Sequence, residues 1–95
     1  MYIHSAYAVL PGRDEARLNL QQHGLDFVDT PTVFGGPPFA YEDDRLAYSE
    51  KRFVALGVLQ GIVVSVVHTE TRREIRVISF RKATKHEQAI FFHNI

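Results

Sequence analysis

The sequence predicts an α+β fold in which N-terminal helices precede an antiparallel sheet of three to four strands, with a C-terminal helix packed on the sheet. Three observations predict this class. Helix start and stop signals occupy the first third of the chain, the Gly-Gly-Pro-Pro segment at residues 35–38 breaks regular structure, and valine-rich runs follow. Because no repeat or linker divides the sequence, residues 1–95 are expected to form a single domain.

The first helix is predicted over residues 14–22. Asp14 is suited to the N-cap because its carboxylate can accept a hydrogen bond from a free backbone N–H group. Acidic side chains lie in the first turn, where the helix dipole favours them. Gly24 can adopt the left-handed conformation that commonly ends a helix.

A second, shorter helix is predicted within residues 25–34. Asp26 can cap it, and Pro31 is expected to limit its length, since proline does not fit a helix interior. Phe27 and Phe34 are expected to supply the buried face of this helix.

Strand signals begin at Phe39. Residues 38–44 predict a weak edge strand, and residues 52–59 and 62–69 predict two strong strands joined by a hairpin at Gln60 and Gly61. A turn at residues 71–74 then leads into a third strong strand at residues 75–80. Strict alternation along a strand predicts one face for Ile75 and Val77, and the other for three side chains: Arg76, Ile78 and Phe80.

A C-terminal helix is predicted to begin near Thr84, because Thr84 and Glu87 have the three-residue spacing of a capping box. Ile90, Phe91 and Phe92 are expected to be its apolar contribution to the core. Arg81 and Lys82 lie between the third strong strand and this helix. Cations beside a helix N-terminus, where backbone N–H groups are free, suit the binding of a phosphate.

The composition excludes several classes of protein. The absence of cysteine excludes disulfides, thiolate metal sites and a cysteine nucleophile. No apolar run reaches the 18 or so residues of a membrane span, and the first residues do not form a signal peptide, so a cytoplasmic protein is expected. His86 and His93 are seven residues apart, which is not a chelating spacing. We expect neither a metal nor another cofactor.

The net charge of zero conceals an asymmetry between the two halves of the chain. Residues 1–50 carry three basic and eight acidic side chains, whereas residues 51–95 carry eight basic and three acidic ones. Such an asymmetry suits one surface to an anion and another to a basic partner. Attraction between the two halves within the fold is an equally good explanation.

Four segments, in order, carry a resemblance to a known family: NLQQHGLDF, YSEKRFVALG, VVHTE and IRVISFRKATKHE. Over residues 19–87 they resemble the BrnT toxins of bacterial type II toxin–antitoxin modules. The resemblance implies a RelE-like fold, metal-independent RNA cleavage that inhibits translation, and neutralisation by a cognate ribbon-helix-helix antitoxin; homodimer formation is left open. The matching polar residues are Asn19, His23, Glu50, Arg52, Thr69, Arg76, Ser79, Arg81 and Glu87.

RNA carries its own nucleophile, the 2′-hydroxyl, so a ribonuclease must chiefly align it and stabilise the charge that grows on the phosphate. Arginine suits this task because its fork binds phosphate oxygens through two donors. The candidate catalytic residues for charge stabilisation are Arg52, Arg76 and Arg81. Three further cations are candidates for RNA binding: Lys82, Arg73 and Lys85.

Glu87 and His68 are the candidates for proton transfer. For Glu87 the alternative is the capping role beside Thr84. For His68 the alternative is a half-exposed histidine at a strand end, although an ordinary pKa of about 6.5 suits proton transfer. Asn19 and Glu50 are expected to make structural hydrogen bonds.

Two other functions are compatible with the sequence. One is a catalytically inactive module that only pairs with an antitoxin or another partner, favoured by Phe91, where many relatives have a tyrosine, and by the neutral isoelectric point. The other is an RNA binder without catalysis. That function needs exposed aromatic side chains for base stacking, whereas most aromatic residues here lie in apolar patterns.

Overall fold

The computed structural model describes residues 8–11, 13–44 and 50–95. The architecture is α+β, as predicted. In chain order the elements are β1 (Ala8–Pro11), α1 (Arg13–His23), a 3₁₀ turn (Phe27–Asp29), α2 (Thr30–Gly35), β2 (Phe39–Asp43), β3 (Arg52–Leu59), β4 (Ile62–Glu70), β5 (Glu74–Lys82) and α3 (Lys85–His93).

The strands form one sheet in the order β1-β5-β4-β3-β2. The four antiparallel strands β2 to β5 were predicted, with β2 at the edge. The sheet also contains β1, which pairs in parallel with β5 from Ala8↔Glu74 to Pro11↔Val77, so the prediction of three to four strands was one short. A strand of four residues with a partner more than 60 positions away leaves no local turn signal in the sequence.

The two faces of the sheet bury separate apolar clusters. The face covered by α1 and α2 contains nine buried side chains: Phe27, Val33, Phe34, Ala55, Val64, Val66, Ile75, Val77 and Phe80. On the other face, Phe91 of α3 packs with Val54, Leu56 and Val67. We call these the α1/α2 face and the α3 face. Two polar strand residues on the α3 face, Asp43 and Thr69, are also buried.

A β-bulge opposite Val67 and His68 changes the predicted alternation along β5. Val67 pairs with Ser79 and His68 pairs with Val77, so that Ile78 is an extra residue in β5. The prediction that Phe80 shares a face with Arg76 and Ile78 was therefore wrong. Phe80 joins Ile75 and Val77 in the α1/α2 face, and the following residue, Arg81, is turned to the α3 face.

The helical N-terminal region differs from the prediction in its boundaries. Helix α1 begins at Arg13, so Asp14 lies inside the helix and is not its N-cap. Gly24 ends α1 with a φ of 69°, as predicted. The second predicted helix is divided into the 3₁₀ turn, capped by Asp26, and α2, in which Pro31 lies in the first turn. Pro31 thus begins a helix instead of limiting one, because the first turn needs no N–H donor at that position.

The predicted hairpin and capping box are both present. Gln60 and Gly61 have positive φ angles of 50° and 80°, as a tight two-residue hairpin requires. Thr84 and Glu87 form reciprocal capping bonds at the start of α3. Phe91 is buried, but Phe92 is 58% exposed, so its predicted place in the core was wrong. Among the described residues, no helix is long and apolar enough to cross a membrane.

Candidate active site on the α3 face

The junction between β5 and α3 is held by a two-pronged ion pair. The Nη1 and Nη2 groups of Arg81 donate to the two carboxylate oxygens of Glu87 over 2.6 and 2.9 Å. Arg81 Nη1 also donates to the backbone oxygen of Lys82 at 3.3 Å. The Arg81 side chain is 26% exposed and that of Glu87 is 10% exposed. The pair therefore fixes the guanidinium at the surface while it buries the carboxylate.

Glu87 receives two further hydrogen bonds. The backbone N–H of Thr84 donates to Oε1 at 2.9 Å, and the hydroxyl of Ser65 donates to Oε2 at 3.3 Å. Burial alone raises the pKa of Glu87, but the hydrogen bonds from Arg81, Thr84 and Ser65 and the charge of Arg81 hold the pKa below its ordinary value. Glu87 is accordingly a carboxylate at neutral pH, and its capping role is confirmed.

A row of polar residues crosses the α3 face at the end of the sheet away from the junction between β5 and α3. The strand register places Asp43 opposite Arg52, and Thr69 opposite Arg76. Because Phe53 pairs with His68, Arg52 comes beside Thr69 in the same row. At the ordinary strand spacing of about 4.8 Å, Arg52 and Arg76 are about 10 Å apart with Thr69 between them. We call these four residues the polar row.

The three candidate arginines do not form one cluster. Arg81 pairs with Ser65, which lies four residues along β4 from Thr69. At about 3.3 Å per residue, Arg81 is therefore about 13 Å along the strands from the polar row. The structure brings Arg52 and Arg76 to the two sides of Thr69, and it places Arg81 with Glu87 in a separate group.

A cleft of about 300 Å³ connects the two groups. Its walls include Asp43 of the polar row on one side and Arg81 with Glu87 on the other, and Val54 and Ile90 also line it. A smaller cavity of about 110 Å³ lies at the far end of the row and is lined by Glu50, Thr69, Thr71, Glu74 and Arg76. Arg81 therefore lies in the cleft, whereas Arg76 lies in the smaller cavity on the same face of the sheet.

His68 lies on the α1/α2 face and is 0% exposed. Its ring contacts Phe34 edge-on with centroids 5.0 Å apart and stacks on Phe53 at 5.9 Å. Burial lowers the pKa of His68, although the bond of 2.9 Å between Nε2 and Glu70 opposes this. The half-exposed histidine of the sequence alternative is therefore wrong. A role in proton transfer stays a prediction, and the sheet separates this ring from the cleft.

The cations predicted to bind RNA lie at opposite ends of β5. Lys82 ends the strand and Lys85 begins α3, both exposed and close in sequence to Arg81. Arg73 is exposed in the turn before β5, at the end where Arg76 lies. Each end of β5 thus has additional positive charge, and the RNA-binding role of these three residues remains a prediction.

Three residues of the site were not singled out from the sequence: Ser65, Tyr41 and Asp43. Tyr41 and Asp43 line the cleft, and Ser65 supports Glu87. Ser65 interrupts a run of valines in a strand that is otherwise buried, which is a usable signal because a buried hydroxyl needs a partner. Asp43 had no such signal, since its position opposite Arg52 depends on strand register. In the described part of the chain, no group of side chains is arranged to hold a metal ion.

Comparison with known proteins agrees with the resemblance carried by the four segments. A family model described as ribonuclease toxin, BrnT, of type II toxin–antitoxin system matches residues 13–87. A comparison with curated proteins gives no match. The matched region runs from the first residue of α1 to Glu87 and includes every strand that carries a candidate arginine. A type II system implies a cognate antitoxin as partner. The chain therefore belongs to the BrnT family of type II ribonuclease toxins.

Proposed function

We propose that this protein is a metal-independent endoribonuclease toxin that acts in the bacterial cytoplasm and inhibits translation by cleaving RNA. The observation that carries the proposal is the placement of Arg52, Arg76 and Arg81 on one face of the sheet, with Arg81 in the cleft and Arg76 in the smaller cavity at the far end of the polar row. Guanidinium groups that stay ionised and offer paired donors suit the phosphates of an RNA strand. Family membership supplies the reaction class.

The reaction needs little from the protein beyond positioning and charge. The 2′-hydroxyl gives its proton to water as its oxygen forms a bond to the phosphorus, the bond from phosphorus to the 5′-oxygen breaks, and the leaving 5′-oxygen takes a proton from water. Negative charge grows on the non-bridging oxygens during this exchange. We assign Arg52 and Arg76, with the Thr69 hydroxyl between them, to the reacting phosphate. Preorganised donors of this kind commonly account for the largest part of the rate enhancement.

Arg81 and Glu87 have separate roles in this proposal. Arg81 keeps its Nε–H and one Nη2–H donor without an acceptor among the described residues, so it can still bind a neighbouring phosphate. Glu87 orients Arg81. Its lowered pKa makes it a weak proton acceptor, which favours this positioning role over general base catalysis.

The proposal includes the partner and the finer fold assignment. A ribbon-helix-helix antitoxin is the expected partner, and the sheet with α3 packed on one face is compatible with a RelE-like fold. The carboxylates of Asp43, Glu42 and Asp44 give one wall of the cleft a negative charge. Such a wall suits a basic segment of the antitoxin, which would exclude RNA from the cleft while bound.

The test is cleavage of a synthetic RNA by the purified chain in the presence of a chelator. Arg76→Ala and Arg52→Ala are expected to reduce the cleavage rate about 10²–10³-fold each, since each removes a donor to the reacting phosphate. Arg72→Ala is the matched control, because Arg72 is an exposed arginine in the turn before β5. Cleavage that disappears with chelator, or that falls equally in the control, would contradict the proposal.

A catalytically inactive antitoxin-binding module is the second candidate. The specific observation in its favour is Phe91, which is buried in the α3-side apolar cluster and has no hydroxyl to offer a substrate. This candidate predicts tight association with the antitoxin but no RNA cleavage by the freed chain. Normal bacterial growth on expression, at the same soluble level as an Arg81→Ala variant, would support it.

A further inference from the structure

We infer that Asn19 of α1 is a positioning residue for Arg81, acting through the backbone of Phe80. The catalytic consequence of this inference rests on the proposed function, whereas the positioning itself does not. Asn19 and Arg81 lie on opposite faces of the sheet. The backbone of β5 links the two residues. Both polar atoms of the Asn19 side-chain amide form hydrogen bonds to this backbone.

The Asn19 side chain is buried and binds the backbone of β5 in both directions. Its Nδ2 group donates to the backbone oxygen of Phe80 at 2.6 Å, and its Oδ1 accepts from the backbone N–H of Phe80 at 2.8 Å. Nδ2 also donates to the backbone oxygen of Leu25 at 3.0 Å. Asn19 is only 4% exposed, so water does not replace these contacts.

These bonds continue the sheet where β1 stops. β1 pairs with β5 only as far as Pro11↔Val77, three residues before Phe80, which pairs with Val66 on its other side. The backbone of Phe80 on the β1 side has no strand partner among the described residues. Buried backbone groups need hydrogen bonds, and the amide of Asn19 offers the donor and acceptor that another strand would have supplied.

The position of Phe80 sets that of Arg81, the next residue. The bulge at Ile78 lies two residues before Phe80, and the regular pairing with β4 that resumes from Ser79 to Lys82 turns Arg81 to the α3 face. The ion pair with Glu87 fixes the guanidinium of Arg81. The bonds from Asn19 to Phe80 fix the backbone next to Arg81. A displacement of about 1 Å at a group that positions the substrate can cost up to about 10²-fold in rate, so the backbone position of Arg81 matters as much as its bond to Glu87.

The direct test is nuclear magnetic resonance of the Arg81 guanidinium. In the wild type, the signal of the Arg81 Nη–H groups that donate to Glu87 is expected to be sharp and slow to exchange with water. In Asn19→Ala it is expected to broaden or to exchange about tenfold faster, because the end of β5 is no longer anchored. Asn94→Ala is the matched control, since Asn94 also donates its amide to a backbone oxygen, that of Ile90, but has no link to β5.

Asn19→Asp provides a second variant where Asn19→Ala does not fold. It keeps the acceptor for the Phe80 N–H group and loses the donors to the backbone oxygens of Phe80 and Leu25, so a change in the Arg81 signal is again expected. An unchanged Arg81 signal in either folded variant would overturn the inference. Failure of both variants to fold would also overturn it, because Asn19 would then serve the fold as a whole.

A cycle of RNA cleavage measurements tests the catalytic consequence. Asn19→Ala is expected to lower kcat about tenfold while KM changes less than about twofold. In an Arg81→Ala background the same substitution is expected to have no further effect on kcat, whereas a purely structural role would lower kcat in both backgrounds. If the wild type cleaves no RNA, the proposed function fails, and the resonance experiment still decides whether Asn19 positions Arg81.

Discussion

Two acid–base pairs, one on each face of the sheet, behave in opposite ways. Glu87 with Arg81 and Glu70 with His68 both have contacts of 2.9 Å, and each pair has one member that is almost fully buried. Glu87 has its pKa lowered and is held charged. His68 has its pKa lowered and is held neutral.

The number of compensating hydrogen bonds decides between the two outcomes. Glu87 accepts bonds from both prongs of Arg81, from the Thr84 backbone and from Ser65, which outweigh the cost of burial. His68 has Glu70 on one ring nitrogen and a backbone oxygen at 3.4 Å on the other, packed between aromatic rings. A charge persists in a protein interior only where several polar groups replace its water.

The largest effect is expected for Glu87→Ala. It removes the capping bond of α3 and leaves Arg81 without its carboxylate, so the free energy of unfolding should fall by about 3 kcal/mol. The measurement is urea unfolding at pH 7. Gln88→Ala, a substitution at the next and exposed residue of α3, is the control. Equal losses in the two variants would mean that the network adds nothing beyond helix propensity.

The next effect is a pH dependence that originates in His68. Its folded pKa lies below the ordinary value of 6.5, so the stabilisation is complete above pH 6.5 and is lost as the pH falls through the folded pKa. Below pH 6.5 the unfolded chain binds a proton that the folded chain does not, with a slope of up to about 1.4 kcal/mol per pH unit. His68→Phe should remove this part of the slope. His86→Gln, at an exposed histidine of α3, is the control.

At pH 8 the same His68→Phe substitution should change the free energy of unfolding by less than about 1 kcal/mol. The phenyl ring keeps the contacts with Phe34 and Phe53, and a neutral pair replaced by an apolar group of similar size is often close to neutral in stability. Glu70 is 17% exposed and can return to water. A loss as large as that of Glu87→Ala would show that the His68–Glu70 bond carries fold stability.

The smallest effect is expected for Ser65→Ala. The substitution removes one hydrogen bond of 3.3 Å to Glu87, worth about 0.5–1 kcal/mol above pH 4.5, the ordinary pKa of the carboxyl. The stabilisation due to Glu87 is lost as the pH falls below 4.5 through the folded pKa, and in this variant the loss should be smaller and should end at a higher pH, because the folded pKa is less depressed. Acid titration followed by circular dichroism measures it, with Ser79→Ala as comparison.

Much of the fold could be predicted because its signals are local. The hairpin at Gln60 and Gly61, the capping box of Thr84 and Glu87, and the edge position of β2 follow from turn chemistry, spacing and alternation. The first strand could not be predicted, since its partner is distant in sequence. The bulge was missed because strict alternation was assumed along β5, whereas the extra residue Ile78 moves Phe80 to the face of Ile75 and Val77.

The candidate site was predicted in its residues but not in its arrangement. Arg52, Arg76, Arg81 and Glu87 were identified from residue type and resemblance, and all four lie on the α3 face. Their division into a polar row and a separate Arg81–Glu87 pair depends on register, which a single strand does not encode. His68 had the right chemistry for proton transfer. Because successive side chains of a strand face opposite sides, however, its position in β4 places the ring in the buried α1/α2 face.

The sequence by itself determined the fold class, the start of α3 and the membership of the BrnT family, because periodicity, capping signals and the segments that resemble the family each depend on residues close together in the chain. Only the tertiary structure decided which charges persist and which arginines act together. Burial, strand register and one bulge set those outcomes, and each arises from contacts between residues that are far apart in the chain. Asn19 depends on both: the resemblance identified the residue, and the tertiary structure decided its contacts, since its bonds to Phe80 join positions 61 residues apart.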